Sequence, residues 1–316
     1  MKVASVQFCH YDGDKEKNFA LIKRFVNEAV VKDVEMIIFP EMCLTGYLFT
    51  KDLNREEMTK LAENIPNGGY CQRLQKLANE NNITIGMGLV ELADGGELYN
   101  NYIIARPNQK LITYRKLHCF VNQYMSSGNE YVVFSLPNGH KAGILICYDN
   151  NIIENVRLTA LKGAEVIIAP HQTGGCLTQS PYCMGVIDQK LWLNREKNPE
   201  AIEAEFKGQK GRGWLLKWLP ARAHDNGVYY IFSNGVGPDG NEIRTGNAMI
   251  IDPHGNIISE TWQAKNMMVT AELDFSQCKK SIGAAWLNTR RPDLYKGLTC
   301  SHNEEDIKDV RFKNSF

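Results

Sequence analysis

The 316-residue chain predicts an α/β fold built from two sheets with helices on their outer faces. Three observations carry this. Short runs rich in Val, Ile and Met recur along the chain, several nearly continuous, as in strands covered on both faces. Apolar residues at helical spacing separate some of these runs. Elsewhere the runs follow one another across turn signals, as in hairpins.

The first strand is Val3 to Phe8, and Phe19, Ile22, Val26 and Ala29 then mark a helix. Strands are expected at Glu35 to Phe39 and, after a helix carrying Leu74, Leu77 and Ala78, at Ile83 to Val90. Tyr102 to Arg106 and a strand-like Lys110 to Arg115 flank the turn Pro107-Asn108. Lys141 to Cys147 follows the turn Pro137-Asn138-Gly139. Val156, Ala160 and Leu161 mark a helix before the strand Glu165 to Ala169. From Pro170 to Val228 no strand is expected. This stretch holds Trp192, Trp214, Trp218 and a charged helical segment from Asn198 to Lys210. Pro220 ends one helix or starts another, Ala221 to Asn226, closed by Gly227. Val228 to Ser233, Ala248 to Asp252 and Met267 to Leu273 complete the strands.

Composition narrows the function classes. Lys plus Arg is 36 and Asp plus Glu is 36, a net charge of zero. That argues against a nucleic-acid binder that neutralises phosphates, and against a polybasic membrane anchor. No apolar run approaches the ~18 residues of a membrane span. The opening residues read as a strand rather than a signal peptide, because Ser5 and Gln7 break the apolar stretch. Nine cysteines without a C-x-x-C pair argue against a disulfide framework or a structural zinc, and for a cytoplasmic location. No metal site is expected among the seven scattered histidines.

Three strand ends carry candidate chemistry. The strand Lys141 to Ile146 stops at Cys147 and turns toward a helix, where free N–H groups favour a thiolate and an oxyanion. The same residue also reads as a buried small hydrophobe. Glu41 follows the strand Glu35 to Phe39. It reads as a general base or as a charge at a helix N-terminus. Lys116 follows Lys110 to Arg115, as an electrophilic partner or a solvated surface lysine.

Taken together, the blocks Phe39-Pro40-Glu41 with Thr45-Gly46-Tyr47, Tyr114-Arg115-Lys116-Leu117-His118, and Ile146-Cys147-Tyr148-Asp149 with Glu154 resemble the signature blocks of the nitrilase superfamily of carbon–nitrogen hydrolases. Further similar stretches are Ala160 to Glu165, Ala221-Arg222-Ala223 with Asn226-Gly227, Ser233-Asn234-Gly235-Val236-Gly237 and Arg291-Pro292-Asp293-Leu294-Tyr295. The resemblance implies a four-layer α-β-β-α sandwich, as a single domain over residues 1–297 with a helical excursion at 172–227 and a C-terminal tail at 298–316. It implies a homodimer and no cofactor. It also implies roles: Glu41 as base, Cys147 as nucleophile, and Lys116 with the Tyr148 N–H as oxyanion donors.

Two departures from the family pattern stand out. The second glutamate that usually follows the lysine block is absent between Lys116 and Gly128. Gln123 is expected to take its place beside Lys116 or the substrate, and Glu154 to support Lys116 or its loop. Tyr148-Asp149 replaces the Trp-Glu of true nitrilases and is similar to the amidase and carbamoylase branches. Where carbamoyl-D-amino-acid hydrolases place arginines, this chain has Asn150 and Asn151. A substrate carboxylate would then need Arg157, Arg212 or Arg222, each of which also reads as a structural ion-pair partner.

Tyr47, Asn150, Asn151, His171 and Gln172 are the expected pocket residues, with the tryptophan-rich excursion as a lid or as aromatic packing. The expected activity is hydrolysis of a small amide or N-carbamoyl compound with release of ammonia. A nitrilase and a catalytically silent binding protein are the alternatives. The acyltransferase branch is commonly membrane-bound and fits less well.

Overall fold

A computed structural model describes residues 1–178, 180–302 and 304–312. Of the tail expected at 298–316, residues 303 and 313–316 therefore lie outside the described part. In chain order the first strands and helices are β1 (Lys2–Phe8), α1 (Lys15–Val31), β2 (Met36–Ile38), α2 (Arg55–Leu61), α3 (Gly69–Asn81), β3 (Thr84–Leu92), β4 (Leu98–Ala105), β5 (Ile112–Arg115) and β6 (Met125–Ser126). Then come β7 (Val133–Ser135), β8 (Lys141–Ile144), α4 (Ile153–Leu161), β9 (Val166–His171), α5 (Gln189–Leu193), α6 (Pro199–Lys207), α7 (Arg212–Leu215) and α8 (Leu219–Asn226). The chain closes with β10 (Tyr229–Asp239), β11 (Glu242–Thr245), β12 (Met249–Ile251), β13 (Ile257–Glu260), β14 (Met267–Glu272), α9 (Ser276–Lys280), α10 (Ile282–Asn288) and α11 (Ile307–Phe312).

The strands make two arrays. One runs β14-β1-β2-β3-β4-β5, the other β13-β12-β10-β9-β8-β7. They are stitched where Gln7 and Phe8 of β1 pair with Asn234 and Gly235 of β10. Alternation along the strands builds the layers. Val3, Met36, Ile38, Tyr102 and Ile104 of the first array share one buried cluster with Ala142, Ile144, Ile168 and Ile231 of the second. The opposite face of the first array, Ala4, Val6, Phe8, Ile37, Ile85 and Met87, packs on Phe19, Ile22 and Val26 of α1 and Leu74 and Leu77 of α3. Against the second array lies α4, its Thr159 occupying the space where a Gly143 side chain would stand. Helix, sheet, sheet, helix is the α-β-β-α sandwich expected from the sequence.

Local signals set the element ends. Asp14 caps α1 by accepting from the Lys17 N–H, 3.0 Å, and Phe19, Ile22, Val26 and Ala29 are its buried stripe. Pro220 stands in the first turn of α8, and Gly227 ends it in the left-handed conformation. The expected strand Lys141 to Cys147 closes sooner, at Ile144, because the following residues bend into the turn that carries Cys147. Four strands escape a sequence reading. β6 and β7 are too short to show a period. β11 reads as charged surface, yet Glu242 and Arg244 are buried because they pair with each other. β13 is only half-buried.

Gly88 links the fold to the chemistry. A Cβ there would stand 2.3 Å from the Met42 backbone nitrogen and 2.9 Å from the Glu41 carbonyl carbon. The turn after β2 therefore rests directly on β3, with the Leu44 N–H donating to the Gly88 carbonyl at 3.0 Å. Backbone cannot yield as a flexible side chain does. Gly88→Ala is expected to destabilise the fold by about 1–3 kcal/mol, read as a lower urea midpoint at unchanged slope.

Candidate active site

Cys147 opens a 3-10 turn, Cys147–Asn150, with φ of +48°. A non-glycine residue in that region costs on the order of 1–3 kcal/mol and persists only when its surroundings impose it. Here they do. The Asn150 amide donates to the carbonyls of Leu145 (2.7 Å) and Cys147 (3.2 Å), and its oxygen accepts from the Tyr230 hydroxyl at 3.2 Å. From α8, Arg222 donates through Nε to the Asn150 carbonyl (3.2 Å) and through Nη2 to the Asn151 carbonyl (2.9 Å). The Tyr148 N–H is in the first turn of this short helix, where donors have no intrahelical acceptor.

Glu41 and Lys116 meet beside this thiol, both essentially inaccessible to solvent. Lys116 Nζ and Asn100 Nδ2 each donate to Glu41 Oε1 at 2.7 Å. Glu41 Oε2 is buried with no hydrogen-bond partner, and the Glu41 charge acts on the nearby Cys147 thiol. The lysine is set by backbone as well, its N–H donating to the Asn100 carbonyl at 2.9 Å. Asp149 pins the segment around it. Oδ2 accepts from the Tyr114 hydroxyl (2.8 Å) and the Leu117 N–H (3.1 Å), and Oδ1 from the His118 N–H (2.9 Å).

Burial, followed by the Glu41 charge, pushes the Cys147 thiol up to about 12, against the opposing pull of Lys116 and the Gln172 N–H. The resting group is a thiol, although the turn alone suggests a thiolate. Burial works against the Lys116 charge, but Glu41 and other nearby acidic groups overcome it and hold the ammonium well above the ordinary lysine range. An electroneutral Glu–Lys–thiol cluster results, in which one carboxylate oxygen is left without a hydrogen-bond partner.

Two supporting residues expected from the sequence are elsewhere. Gln123 is exposed, and its carbonyl accepts from Lys308 Nζ at 3.0 Å. Glu154 is exposed in the first turn of α4. Neither reaches Lys116: the loop after β5 turns Gln123 outward, and α4 runs along the outer face of its sheet. The ammonium instead meets aromatic faces, with Phe120 at 4.8 Å and Tyr47 at 5.9 Å from ring centroids. A desolvated cation–π contact of this kind is worth about 2 kcal/mol.

Cys147 opens onto a cavity of about 410 Å³. Tyr47, Phe120, Tyr148, Asn151, Gln172, Trp214, Trp218, Arg222 and Arg244 line it, with Thr173, Cys176, Leu177, Thr178, Ser180, Cys183, Met184 and Ile307. Trp214 and Trp218 thus bring the expected excursion over the site, whereas Trp192 packs against Gly237. Among the expected pocket residues, Tyr47, Asn151 and Gln172 are in the wall. Asn150 turns inward to hold the Cys147 turn. His171 is buried beneath it, its Nε2 3.2 Å from Asn150 Nδ2 and its ring on Phe232. Burial and the nearby Lys116 charge keep that imidazole well below the ordinary range, hence neutral. Gln172 Nε2 donates to the Glu41 carbonyl at 2.9 Å. Arg212 is taken up by Glu260, at 2.6 and 2.9 Å.

His10, Asp12 and Asp239 also come together. Burial disfavours charge on His10, but hydrogen bonds to both aspartates prevail and raise it to about 9. Asp239 additionally accepts from Arg244 at 2.8 Å. This is an ion-pair network in which both aspartates favour a charged imidazole. Asn100, Asp149, Phe120 and Arg244 were not singled out by sequence reasoning. Only Asp149 had a signal, its place next to the Cys147 block.

The carbon–nitrogen hydrolase family model matches residues 2–282. The chain is 27% identical to a nitrilase of Pyrococcus abyssi over 277 residues, 87% of this chain and 90% of that protein. It is 27% identical to an N-carbamoylputrescine amidase of Arabidopsis thaliana over 312 residues, 94% of each. Its fold is similar to that of a Nesterenkonia AN1 amidase of the nitrilase superfamily, with TM-score 0.70 and 19% identity over 94% of this chain and 97% of that one. The chain belongs to the carbon–nitrogen hydrolase family.

A thiol raised to about 12 has a thiolate fraction that grows about tenfold per pH unit until then. Iodoacetamide alkylation of Cys147, followed by peptide mass spectrometry with Cys147→Ala as the blank, is expected to accelerate throughout pH 7–10. A plateau below pH 9 would mean a preformed thiolate.

Proposed function

We propose that this carbon–nitrogen hydrolase cleaves a non-peptide C–N bond in a small amide or N-carbamoyl compound, with Cys147 as nucleophile, Glu41 as general base and acid, and Lys116 as oxyanion donor. One observation carries the reading. A buried thiol on a strained turn at a cavity wall lies in the field of a buried carboxylate, one oxygen of which is held by a buried ammonium while the other has no partner.

Glu41 Oε2 takes the Cys147 proton as the sulfur attacks the carbonyl carbon. The developing thiolate is paired with Lys116 as it attacks, so one ion pair replaces another. The tetrahedral oxyanion lies between Lys116 Nζ and the Tyr148 N–H, and losing such a donor typically costs about 10²–10³ in rate. Protonated Glu41 gives its proton to the departing nitrogen, and ammonia or an amine leaves. Glu41 then deprotonates a water that attacks the thioester, and the returning proton restores the thiol. With an N-carbamoyl substrate that loses its amine first, the acyl fragment is a carbamoyl thioester, and its hydrolysis gives carbamate, which decomposes to ammonia and carbon dioxide.

Tyr148-Asp149 after the nucleophile supports an amide or ureido carbon over a nitrile, and the Glu41–Lys116–Cys147 cluster speaks against a silent scaffold. The nine free cysteines fit a reducing cytoplasm. No helix among the described residues is long and apolar enough to cross a membrane.

The test is ammonia release across primary amides, N-carbamoyl amino acids, N-carbamoyl amines and nitriles, with Cys147→Ala as the blank. Release from amides or carbamoyl compounds that disappears in Cys147→Ala is expected. Release from nitriles alone would move the assignment to a nitrilase. Turnover above a few per cent in Cys147→Ala would remove the nucleophile.

A homodimer is part of the proposal. Helix α4, directly behind the nucleophile turn, leaves Ile153, Leu158 and Leu161 exposed. Leu158→Lys is expected to shift the sedimentation coefficient from dimer to monomer. A wild-type protein that sediments as a monomer at micromolar concentration would exclude the dimer.

A further inference from the structure

We propose that the cavity takes an amide or N-carbamoyl compound whose far end carries a carboxylate, received by Arg222 and Asn151. The inference rests on the hydrolase reading above and names the substrate class within it.

The charges of the cavity wall are one-sided. Arg222 and Arg244 line it, and no Asp or Glu does among the described residues. The two arginines differ in what balances them. Arg244 donates through Nε to Asp239 at 2.8 Å, and its Nη2 lies 2.8 Å from Glu242. Two carboxylates offset its charge, and its guanidinium lies 5.6 Å from the Tyr47 ring, as a prop for that residue.

Arg222 has only carbonyl acceptors, those of Asn150 and Asn151. Among the described residues no carboxylate lies within ion-pair distance of it. A carbonyl satisfies a donor without neutralising the charge, and Asp225 and Glu154 act on it only from beyond ion-pair distance, too weakly to offset its burial. Of the five N–H groups of a guanidinium, two are used here and three remain for a ligand. Burial destabilises this charge, and a ligand carboxylate would relieve that cost with a charge-assisted bidentate contact. A neutral ligand would not, and a cationic one would add to it.

Neighbouring groups complete the subsite. Asn151 is in the wall, its own carbonyl bonded to Arg222, and its side-chain amide has no hydrogen bond to another described residue. The Trp218 ring lies 5.9 Å from the guanidinium, and its buried indole N–H has no acceptor. Both carbonyls that Arg222 holds belong to residues three and four positions after Cys147, so the anion site and the nucleophile share one short turn. A compact acid with its amide or ureido carbon at Cys147 can span the two.

The test compares N-carbamoylphenylalanine, its methyl ester and N-carbamoylphenethylamine, which share a ring and a ureido group and differ in the carboxylate. Wild-type kcat/KM is expected to favour the acid at least tenfold. Arg222→Gln is expected to bring the acid-to-ester ratio toward one, and Arg222→Lys to restore part of it. Because Arg222 also braces the Cys147 turn, its loss can slow every substrate. The ratio separates the roles, since bracing alone lowers acid and ester equally.

An ester turned over as well as the acid, or a ratio unmoved by Arg222→Gln, would overturn the proposal. If nothing in the series is turned over, calorimetry on Cys147→Ala decides. Binding of the acid but not of the ester would uphold the anion site while the hydrolase reading fails. Equal or absent binding of both would reject the anion site.

Discussion

The buried pair between Glu41 and Lys116 governs the arrangement of this molecule's centre. An ammonium and a carboxylate withdrawn from water are costly unless each is matched and hydrogen-bonded. The match is made on one oxygen, Oε1, which also accepts from Asn100. That leaves Oε2 for the thiol. Moving the Cys147 proton to it creates no net charge in the interior, because Lys116 exchanges one anionic partner for another. The barrier to ionising a thiol raised to about 12 becomes a difference between two ion pairs.

Much of the fold serves this geometry. Glu41 lies just past β2, on a turn that rests on Gly88 of β3. Asn100 comes from β4, and Lys116 from the end of β5. Cys147 belongs to the other array, and Asp149 crosses back to fix Leu117 and His118. The two sheets are thereby joined at the chemistry as well as through the β1–β10 pairing. Asn150 and Arg222 together hold the turn in which Cys147 takes its positive φ.

The layered fold was legible because most of its strands are long enough to show apolar continuity and its helices carry clear stripes. Glu41, Lys116 and Cys147 were legible because each follows a strand within a recognisable block. What escaped is set by three-dimensional pairing. β11 holds buried charges that neutralise one another, so its sequence resembles a surface. Asn100 lies inside a strand with no motif to mark it. The place of Gln123 between Lys116 and Gly128 fixes its distance along the chain but not the direction in which the loop turns it. The structure turns it outward and puts Phe120 over Lys116 instead.

Phe120 has a double position, over the lysine ammonium and in the wall of the cavity. A ring is a soft counter-charge: its attraction for a cation depends on how squarely its face is presented. A carboxylate in that place would be indifferent to the bulk of whatever entered the cavity. The ring is not, since a ligand that tilts it also alters the electric field at Lys116. Substrate shape is thereby converted into substrate electrostatics, and steric fit becomes a means of setting how strongly the oxyanion is held.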